Sequence, residues 1–467
     1  MRPNPAPAMA LRPPVKARAA AAVGLISFAA ASVALIILLI HHAPNLFGSL
    51  VCLGLGTTTA WAAATIRRWR LALWALTAGL ALGGLVLLIV ARDSVIWLSL
   101  LVADLVVTGW AGGQALRWEV GAVVNRRWRP ASPAAHPVLI MNPRSGHGKV
   151  DQSSLAEEAR RRAITPVVLG AGDDLRALAQ RAVDEGADVI GMAGGDGSQA
   201  IVASVACDEG VAYVCVPAGT RNHLALDLGV DRDDVVGSLD AFGEAREMDI
   251  DLGAVNGQVF VNNVSLGVYA EIVRSEAYRD DPIGTVSKAL PDLLGPDAEP
   301  FDLSLDGPDG QPLGTVQIVL VSNNRYQFHR LGALGSRPRL DGGEIGIAAL
   351  HLGSPVDVTA FLALEAAGHL ERFPGWYEWA APSLVIGSGS TVNAAVDGEA
   401  TEFEAPLRFS THPQALRVRT ALHHPGASPA ALRPGLGRST FLGMARVLTG
   451  RPSGLIETLT PPVVAPS

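Results

Sequence analysis

The sequence predicts a protein of the α/β plus all-β class, with about four transmembrane helices ahead of the α/β part. Three observations support this fold class. Residues 19–113 are strongly apolar and carry few charges. Residues 137–250 alternate short apolar runs, glycine-rich loops and helical segments, which indicates βαβ units and a parallel sheet. Residues 251–421 contain short strand-like runs between Gly, Pro and Asp turns, among them 383–386 and 414–418, which is typical of an antiparallel sandwich or barrel.

The composition limits the classes of function. The chain has 467 residues, enough for more than one domain, and its formal net charge of −7 argues against nucleic acid as a partner. Only 17% of the residues are charged, and the mean hydropathy is +0.29. Cys52, Cys207 and Cys215 lack the spacing of metal ligands, and we expect no disulfide framework. A reducing compartment is consistent with this cysteine content.

The apolar N-terminal region follows a cytoplasmic tail at residues 1–18 and divides into four segments, near 19–40, 46–65, 71–91 and 94–113. Each segment is close to the roughly 20 residues that cross a bilayer as a helix. Basic residues cluster before the first segment, after the second and after the fourth. The positive-inside rule therefore places both termini and all residues after 114 in the cytoplasm. We expect a multi-pass protein of the cell (inner) membrane.

Other interpretations of this region remain open. A cleaved signal peptide would explain only the first segment. Two long hairpin helices could replace the four spans, because the second and fourth segments carry Thr, Gly and Trp. Asp104 lies inside the fourth segment, where an acid either has a function or pairs across helices.

A juxtamembrane linker at 114–136 leads into the α/β region, in which we expect helices over 152–163, 173–185 and 198–208. The most informative stretch is 188–200, where an apolar run ends near Ala193 and Gly194, Gly195, Asp196 and Gly197 follow, with Ser198 at the expected helix N-cap. Glycines let backbone N–H groups approach phosphate oxygens, and a helix N-terminus adds partial positive charge. An acid in such a turn indicates an adjacent metal ion or reacting hydroxyl.

Two further segments repeat the sequence of strand and small-residue loop. Residues 138–141 lead into 142–149, and residues 211–216 lead into 217–222. In a parallel sheet these loops share the carboxyl edge, where open α/β sheets bind ligands; three unrelated loops are the less favoured alternative. Neither standard nucleotide fingerprint is present. No G-x-G-x-x-G follows a strand, and the segment ending at Lys149 departs from a P-loop at Pro143 and Val150.

These motifs resemble those of the diacylglycerol kinase catalytic domain family, which includes bacterial lipid kinases and sphingosine kinases. The matching segments are 142–148, 194–198, 217–222, 262–267 and 397–399, and the resemblance covers roughly residues 135–420. It implies an α/β nucleotide-binding subdomain at 137–250 and a β-sandwich lipid-substrate subdomain at 251–421, with the active site in the cleft between them. Residues 422–467 are expected to form a Pro-rich, loose C-terminal extension, although Phe441–Leu448 could form a helical turn or two.

The resemblance implies that ATP and Mg²⁺ are used, and it identifies a set of nucleotide-binding candidates. Arg144 and Lys149 could neutralise phosphate charge or be exposed to solvent. The nucleotide-binding candidates in chain order are Asn142, Ser145, Gly146, Gly148, Lys149, Gly194, Gly195, Asp196, Gly197, Ser198, Pro217, Gly219, Thr220 and Asn222.

The resemblance also assigns roles to acidic residues. Asp397 is the expected general base toward the lipid hydroxyl, Glu399 its Mg²⁺ or orienting partner, and Asp196 a magnesium or supporting ligand on the phosphate side; sequence alone permits these roles to be exchanged. The alternative for Asp397-Gly398-Glu399 is an ordinary β-turn with solvated acids. Asp341 begins a segment that binds structural Mg²⁺ in some relatives, but here the second Asp of that segment is Gly342.

Three further segments have weaker indications. Asn262-Asn263 either lies in the cleft or caps a turn. His223 stands where relatives commonly have Asp, and packing or capping is its favoured role. Residues 288–294 occupy the place of a helix near the lipid entrance in relatives, and the alternative is that their apolar face belongs to the core.

The leading hypothesis is a membrane-integral lipid kinase that transfers the γ-phosphate of ATP to a lipid hydroxyl, most simply diacylglycerol to give phosphatidic acid. A sphingoid base or a glycolipid is an alternative acceptor. A kinase for a soluble substrate, of the NAD kinase or phosphofructokinase type, is disfavoured by the apolar segments and the Asp397 motif. A non-catalytic nucleotide or lipid sensor is the alternative from another class. Expected partners are the lipid and the membrane, no nucleic acid is expected, and the sequence allows a homodimer.

Overall fold

The computed structural model describes residues 12–65, 70–90, 94–143, 145–148, 154–268, 270–271, 301–326, 336–367, 369–424 and 438–453. The chain forms two compact units. The first, here called the helical unit, comprises Met1–Glu119 and Pro434–Leu455. The second, here called the sheet unit, comprises Val120–Arg433 and Ile456–Ser467.

The helical unit contains long apolar helices where the sequence predicts membrane segments. They are α1 (Val15–Ile37), α2 (Ala43–Thr65), α3 (Arg70–Val90) and α4 (Ser94–Arg127), whose end passes into the sheet unit. Within the described residues, two stretches are long and apolar enough to cross a membrane, Val15–His41 and Ile96–Glu119. The apolar stretches Phe47–Ala63 and Leu71–Leu87 are shorter. The structure thus supports two of the four expected spans, and only weakly, because core helices and signal sequences share these properties.

Helices α2 and α3 form an antiparallel hairpin. A Cβ atom placed on Gly48 would lie 3.0 Å from Leu87, and one placed on Gly84 would lie 3.2 Å from Cys52. The hydroxyl oxygens of Thr59 and Thr77 are 2.9 Å apart. These small and hydroxyl-bearing residues let the two backbones pack closely, as they do between membrane helices.

A helix from the C-terminal region packs inside the helical unit. This helix, α10 (Arg438–Leu448), buries Met444 and Val447. The Met444 sulfur would lie 2.7 Å from a Cβ atom on Gly112 and 3.2 Å from one on Gly24, so the two glycines provide its space. This part of the C-terminal region is an ordered helix, because its apolar face finds a partner surface. It agrees with the helical turn or two that the sequence allowed at Phe441–Leu448 and differs from a loose extension.

The first sheet of the sheet unit has nine strands and is mixed, whereas the sequence predicts a parallel sheet. The strands are β1 (Arg129–Ala131), β2 (Pro137–Met141), β3 (Thr165–Val168), β4 (Val189–Gly194), β5 (Ala212–Pro217), β6 (Ala245–Val255), β7 (Gln258–Phe260), β14 (Ser383–Ile386) and β17 (Leu407–Ala421). The parallel core has the order β3-β2-β4-β5, and the order continues through β17 and β6 to β1. In addition, β7 pairs with β6, and β14 pairs with β17.

The mixed character comes from β17. This long strand returns from the C-terminal part of the chain, runs parallel to β5 and pairs antiparallel with β6 over most of its length. The expected boundary between residues 250 and 251 falls inside β6.

Among the described residues, three helices connect the parallel strands of the core, and a fourth, short helix follows β5. They are α5 (Leu155–Arg161), α6 (Leu175–Asp184), α7 (Asp196–Glu209) and the short α8 (His223–Asp227). The first three lie within or close to the predicted ranges. Helix α6 begins after Asp174, whose carboxylate accepts hydrogen bonds from the backbone N–H groups of Arg176 and Ala177, as N-cap residues do.

The second sheet is antiparallel, as predicted, and has six strands. They are β8 (Asn263–Gly267), β11 (Val316–Asn323), β12 (Ile345–His351), β13 (Trp376–Ala381), β15 (Val392–Val396) and β16 (Glu399–Phe403). Their order in the sheet is β13-β12-β11-β8-β15-β16. A small ribbon of β9 (Leu305–Asp306) and β10 (Pro312–Leu313) and helix α9 (Pro355–Ala367) complete this region. Buried side chains from the two sheets share one apolar core, which includes Phe260, Leu266, Ile347 and Phe409.

Candidate active site

Three loops meet at the carboxyl edge of the parallel strands, as the sequence predicts. They follow β2, β4 and β5, which are direct neighbours in the sheet. The backbone N–H of Asn142 donates to the carbonyl of Ala193 at 2.9 Å, which joins the first loop to the end of β4. The edge therefore presents residues 142–148, 194–198 and 217–222 side by side.

Glycines set the close approach of these loops. A Cβ atom on Gly146, where φ is +57°, would overlap the carbonyl oxygen of Ala218. A Cβ atom on Gly219 would overlap the Cα atom of Gly195 and lie 2.8 Å from Oδ1 of Asn222. Since no side chain fits between the loops, the edge consists largely of backbone. This is the arrangement in which N–H groups can approach phosphate oxygens.

Helix α7 points its N-terminus at this edge. The N-cap residue is Gly195, with extended backbone angles, and not Ser198 as the sequence suggested; Ser198 lies inside the first turn. The helix begins at Asp196, directly after Gly195 and the end of β4. The first N–H groups of the helix, including that of Gly197, therefore belong to the glycine loop and carry the positive end of the helix dipole.

Gln199 is a buried residue of the site that the sequence analysis did not single out. Its Nε2 donates to the carbonyl oxygens of Met192, Gly194 and Val216 at 3.0, 3.2 and 3.0 Å. The hydroxyl of Tyr213 donates to Oε1 of Gln199. Gln199 therefore fixes the ends of β4 and β5 relative to each other. The only sequence signal was a polar residue at the start of an otherwise apolar helix.

Asn222 shapes the third loop. Its backbone is left-handed, with φ of +53°, and it occupies the N-cap position of α8. Its Oδ1 accepts from the N–H of Gly219 at 2.9 Å, and its Nδ2 donates to the carbonyls of Gly219 and Pro217 at 2.7 and 3.2 Å. These bonds engage the amide within its own loop. Thr220, by contrast, is exposed at the edge.

Asp196 connects the second loop to the third. Its carboxylate accepts hydrogen bonds from the backbone N–H groups of His223 at 3.1 Å and Leu224 at 3.2 Å. These are the first residues of α8, so Asp196 caps that helix from a distance in the sequence. Among the described residues, Nδ1 of His223 is buried and has no hydrogen-bond partner, and burial lowers the pKa of its ring. His223 is thus the first residue of α8, and its own backbone N–H is capped by Asp196.

Asp397 lies in the tight turn between β15 and β16. Val396 pairs with Glu399, and Asp397 and Gly398 between them have φ of +49° and +86°, as in a two-residue hairpin turn. The carboxylate accepts from the N–H groups of Asn262 at 2.8 Å and Asn263 at 3.1 Å through Oδ1, and of Val261 at 2.9 Å through Oδ2. The Asn262-Asn263 segment therefore holds the acid through its backbone.

The pKa of Asp397 is raised to about 7. Burial is the largest cause, and the negative charge of Asp196 adds to it, while the three N–H donors act in the opposite direction. A carboxylate offers about four acceptor positions. Among the described residues, Oδ1 uses two and Oδ2 uses one, so Oδ2 retains an acceptor position.

The side chain of Glu399 brings the β15–β16 hairpin to the carboxyl edge where the three loops meet. A Cβ atom on Gly197 would lie 2.9 Å from Cγ of Glu399, so this side chain reaches the first turn of α7. Glu399 itself is exposed. The structure thus brings Asp397 and Glu399 of the β15–β16 hairpin toward Asp196 at the start of α7.

A fully buried arginine, also missed in the sequence, supports the site. Arg337 donates from its guanidinium to Asp227, Asn262 and the carbonyls of Val261 and Asn323. No sequence pattern around residue 337 indicated this role.

Asp341 has partners unlike those of a metal ligand. Its Oδ1 accepts from Arg127 at 2.8 Å and from Arg339 at 3.1 Å, so guanidinium groups already neutralise its charge. Within the part of the chain that the structure describes, no group of three or more His, Cys, Asp or Glu residues is placed to hold a metal ion. Arg144, Lys149 and residues 288–294 lie outside the described residues.

Comparisons with known proteins point to one family. Residues 136–255 match the family model of the diacylglycerol kinase catalytic domain. The diacylglycerol kinase of Bacillus subtilis (strain 168) is 32% identical over 142 residues, which cover 29% of this chain and 46% of that protein. A YegS-like protein assigned to the lipid kinases in Pseudomonas aeruginosa (strain UCBPP-PA14) is 26% identical over 302 residues, which cover 64% of this chain and 96% of that protein.

A solved structure shares the fold. It is a protein of Bacillus anthracis str. Sterne assigned to the diacylglycerol kinases, and it aligns with 62% of this chain and 98% of its own chain. The TM-score is 0.50 and the sequence identity 19%. The motifs, the loop geometry and the family match lead to one assignment: residues 136–255 are a diacylglycerol kinase catalytic domain, and the chain is similar over a longer stretch to a protein named as a lipid kinase.

Proposed function

We propose that the protein transfers the γ-phosphate of ATP to the hydroxyl of a membrane lipid, with diacylglycerol as the leading acceptor and phosphatidic acid as the product. One observation carries the proposal. Asp397, a carboxylate whose pKa is raised to about 7, interacts electrostatically with Asp196, and the hairpin that carries Asp397 reaches the glycine loop through Glu399. A general base and a phosphate cradle side by side are what phosphoryl transfer to a hydroxyl requires.

The three loops would bind the phosphates of ATP. The backbone N–H groups at Gly195, Gly197 and Gly146 and the hydroxyls of Ser145 and Thr220 are the donors, and the N-terminus of α7 favours negative charge. Asn222 and Gln199 keep the loops at their spacing through the hydrogen bonds described above. Asn142, Gly148, Gly194, Ser198 and Pro217 form the rest of the proposed nucleotide surface, and Lys149 follows it in the sequence.

The acidic residues fit a magnesium ion that is shared with ATP. Mg²⁺ commonly binds one or two carboxylates and takes its other ligands from phosphates and water, so a full protein cage is not needed. Asp196 and Glu399 would hold it, because both lie at the first turn of α7. When bound, the ion supplies charge that offsets the phosphate oxygens. Asp341 is left out of this proposal, since its charge is balanced by arginines.

Asp397 would accept the proton of the lipid hydroxyl. Its Oδ2 retains an acceptor position, while the three backbone donors hold the carboxylate in place. An ordinary aspartate would be a weak base at neutral pH. A pKa near 7 makes proton transfer from the hydroxyl less unfavourable and still leaves much of the group ionised at neutral pH.

The helical unit supports a membrane lipid as the acceptor. Two of its apolar stretches are long enough to span a bilayer. We propose a multi-pass protein of the inner membrane with the sheet unit on the cytoplasmic side, where a water-insoluble acceptor can be reached from the leaflet. A sphingoid base or a glycolipid remains an alternative acceptor, since each offers a hydroxyl in the same place.

The test is a direct assay of the product. The purified full chain is incubated with ATP that carries a labelled γ-phosphate, Mg²⁺ and a total lipid extract, and the labelled lipid is identified by mass spectrometry. Labelled phosphatidic acid is the expected result. A different labelled lipid would reassign the acceptor, and no labelled lipid at all would contradict a lipid kinase and favour a non-catalytic sensor.

A further inference from the structure

Arg337 is fully buried and makes a hydrogen bond with every nitrogen of its guanidinium group. Nε donates to Asp227 at 2.5 Å, Nη1 to the carbonyls of Val261 at 2.7 Å and Asn323 at 2.8 Å, and Nη2 to Oδ1 of Asn262 at 2.8 Å. The guanidinium also lies over the ring of Tyr326, 5.3 Å from its centroid. A buried charge with this many partners indicates a specific structural role.

One side of this arrangement leads to Asp196. Arg337 binds Asp227 twice, through Nε and through its backbone N–H at 2.8 Å. Asp227 is the last residue of α8. The first two residues of the same helix donate their N–H groups to Asp196. Because α8 has only five residues, the hydrogen bonds of Arg337 to its last residue also restrict the position of its first residues.

The other side leads to Asp397. Arg337 holds the Val261 carbonyl and the Asn262 side chain. The backbone N–H groups of residues 261–263 are those that bind the Asp397 carboxylate. The guanidinium of Arg337 therefore binds both the helix that donates to Asp196 and the segment that donates to Asp397.

We infer that Arg337 is a positioning residue that sets the placement of Asp397 relative to Asp196 by joining helix α8 to the 261–263 segment. The inference rests on the proposed function, because it concerns the relation between the phosphate side and the hydroxyl side of one site. It assigns a role to Asp227 as well, as the partner that orients the guanidinium.

The planar shape of the guanidinium is central to the inference. It donates in several fixed directions at once, whereas a lysine ammonium is a compact charge that cannot reach Asp227, Val261 and Asn262 together. Buried ion pairs of this kind contribute little net stability, because desolvation of the two charges offsets their attraction. A geometric role therefore accounts for its presence better than a contribution to stability does.

The experiment compares Arg337→Lys and Asp227→Asn with wild type in the full chain. A matched control is Arg419→Lys, since Arg419 is also buried and donates to the carbonyls of Ser132 and Gly243. Neither of these residues donates a hydrogen bond to Asp196 or Asp397. Two quantities are measured: the kcat and ATP KM of lipid phosphorylation, and the hydrogen–deuterium exchange of backbone amides at 223–224 and 261–263.

Positioning predicts a fall in kcat of about tenfold or more in both test variants, with the ATP KM within about threefold of wild type, since small misplacements at a reacting centre are costly. Amide exchange is expected to become faster at both segments together. Arg419→Lys is expected to leave both quantities near wild type.

Two results would overturn the inference. One is a folded Arg337→Lys protein with wild-type kcat and unchanged exchange at both segments. The other is faster exchange at 261–263 alone, which would mean that the arginine supports one segment and does not join the two. If the wild-type protein phosphorylates no lipid, the proposed function fails, and the exchange measurement still decides the role of Arg337.

Discussion

At the scale of single residues, Asp397 combines an unusual backbone with an unusual environment. Its φ of +49° is left-handed, which Asp tolerates better than most residues do. The turn points the carboxylate at three backbone N–H groups in a partly buried position. Such outliers concentrate at functional sites, where the surrounding structure enforces them. Two predictions follow from single residues.

The first prediction concerns pH. Asp397 must be ionised to accept a proton, and its pKa is about 7. Below that pH the group is protonated, so kcat/KM for the lipid is expected to fall about tenfold for each unit by which the pH decreases. The measurement is kcat/KM across the acidic and neutral range. A rate that stays flat down to pH values near the pKa of an ordinary aspartate would show that another group is the base.

The second prediction concerns Gly219. Its replacement by Val would force a side chain against Gly195 and Asn222 and push two loops apart. We expect the KM for ATP to rise by about tenfold or more, with a smaller effect on the lipid KM, because the phosphate donors come from these loops. Steady-state kinetics at varied ATP check this, with circular dichroism as the control for folding. An unchanged ATP KM would place the nucleotide elsewhere.

At the scale of elements, the short helix α8 depends on an acid from another helix. Asp196, at the start of α7, caps the N–H groups of His223 and Leu224. These two hydrogen bonds join the loop after β4 to the loop after β5 at the carboxyl edge of the parallel strands. The same carboxylate adds to the negative potential at Asp397. Asp196 thus stabilises the loop after β5 and also raises the pKa of Asp397.

Asp196→Asn is expected to reduce turnover at least about a hundredfold. The isosteric amide loses the charge that offsets Mg²⁺ and one of its two acceptor atoms, and charge stabilisation of this kind is worth about 3 kcal/mol. The kinetic assay with Mg²⁺ and ATP measures it, and activity is expected only with a divalent ion present. Turnover close to wild type in this variant would remove Asp196 from the catalytic site.

The elements also show what sequence patterns reveal and what they hide. Strand β14 was predicted with its observed bounds, because apolar residues and turn signals mark both of its ends. Only residues 414–418 of β17 were predicted, although the strand covers Leu407–Ala421. The reason is a bulge between His412 and Leu416, with Gln414 at φ of +52°, which interrupts the alternation of side chains.

Within the site, local motifs predicted the three loops, because each loop follows its own strand directly. Arg337 could not be found in this way, since its partner Asp227 is 110 positions away in the sequence. Gln199 was hidden for a similar reason: its acceptors lie on two strands that become neighbours only in the folded sheet. The interactions of buried polar groups depend on tertiary contacts that no short window contains.

At the scale of the whole molecule, the chain joins an apolar helical unit to a unit with the lipid kinase fold. Two helical stretches meet the length and composition expected of membrane spans, and the shorter α2 and α3 form a hairpin. The number of spans remains a prediction from the lengths of the apolar segments, and the side on which the sheet unit lies remains a prediction from flanking charge. Both matter for function, because ATP is supplied in the cytoplasm.

The topology can be measured by cysteine labelling. Cys52, Cys207 and Cys215 are first replaced, and single cysteines are introduced near Ala43 and at the exposed Gln311. An impermeant thiol reagent applied to intact cells is expected to label the site near Ala43 and not the site at Gln311, with permeabilised cells as the control. Labelling of Gln311 in intact cells would reverse the proposed orientation.

The central claim is a division of labour, in which the loops after β2, β4 and β5 bind ATP and Asp397 takes the proton from the lipid. The most direct test is the kinetics of Asp397→Asn. The account predicts that kcat for lipid phosphorylation falls at least about a hundredfold while the KM for ATP stays close to wild type, because the base acts only as the hydroxyl proton leaves. A variant that mainly raises the KM for ATP would contradict the claim, since the acid would then belong to the nucleotide site and the base would have to be sought at Asp196 or Glu399.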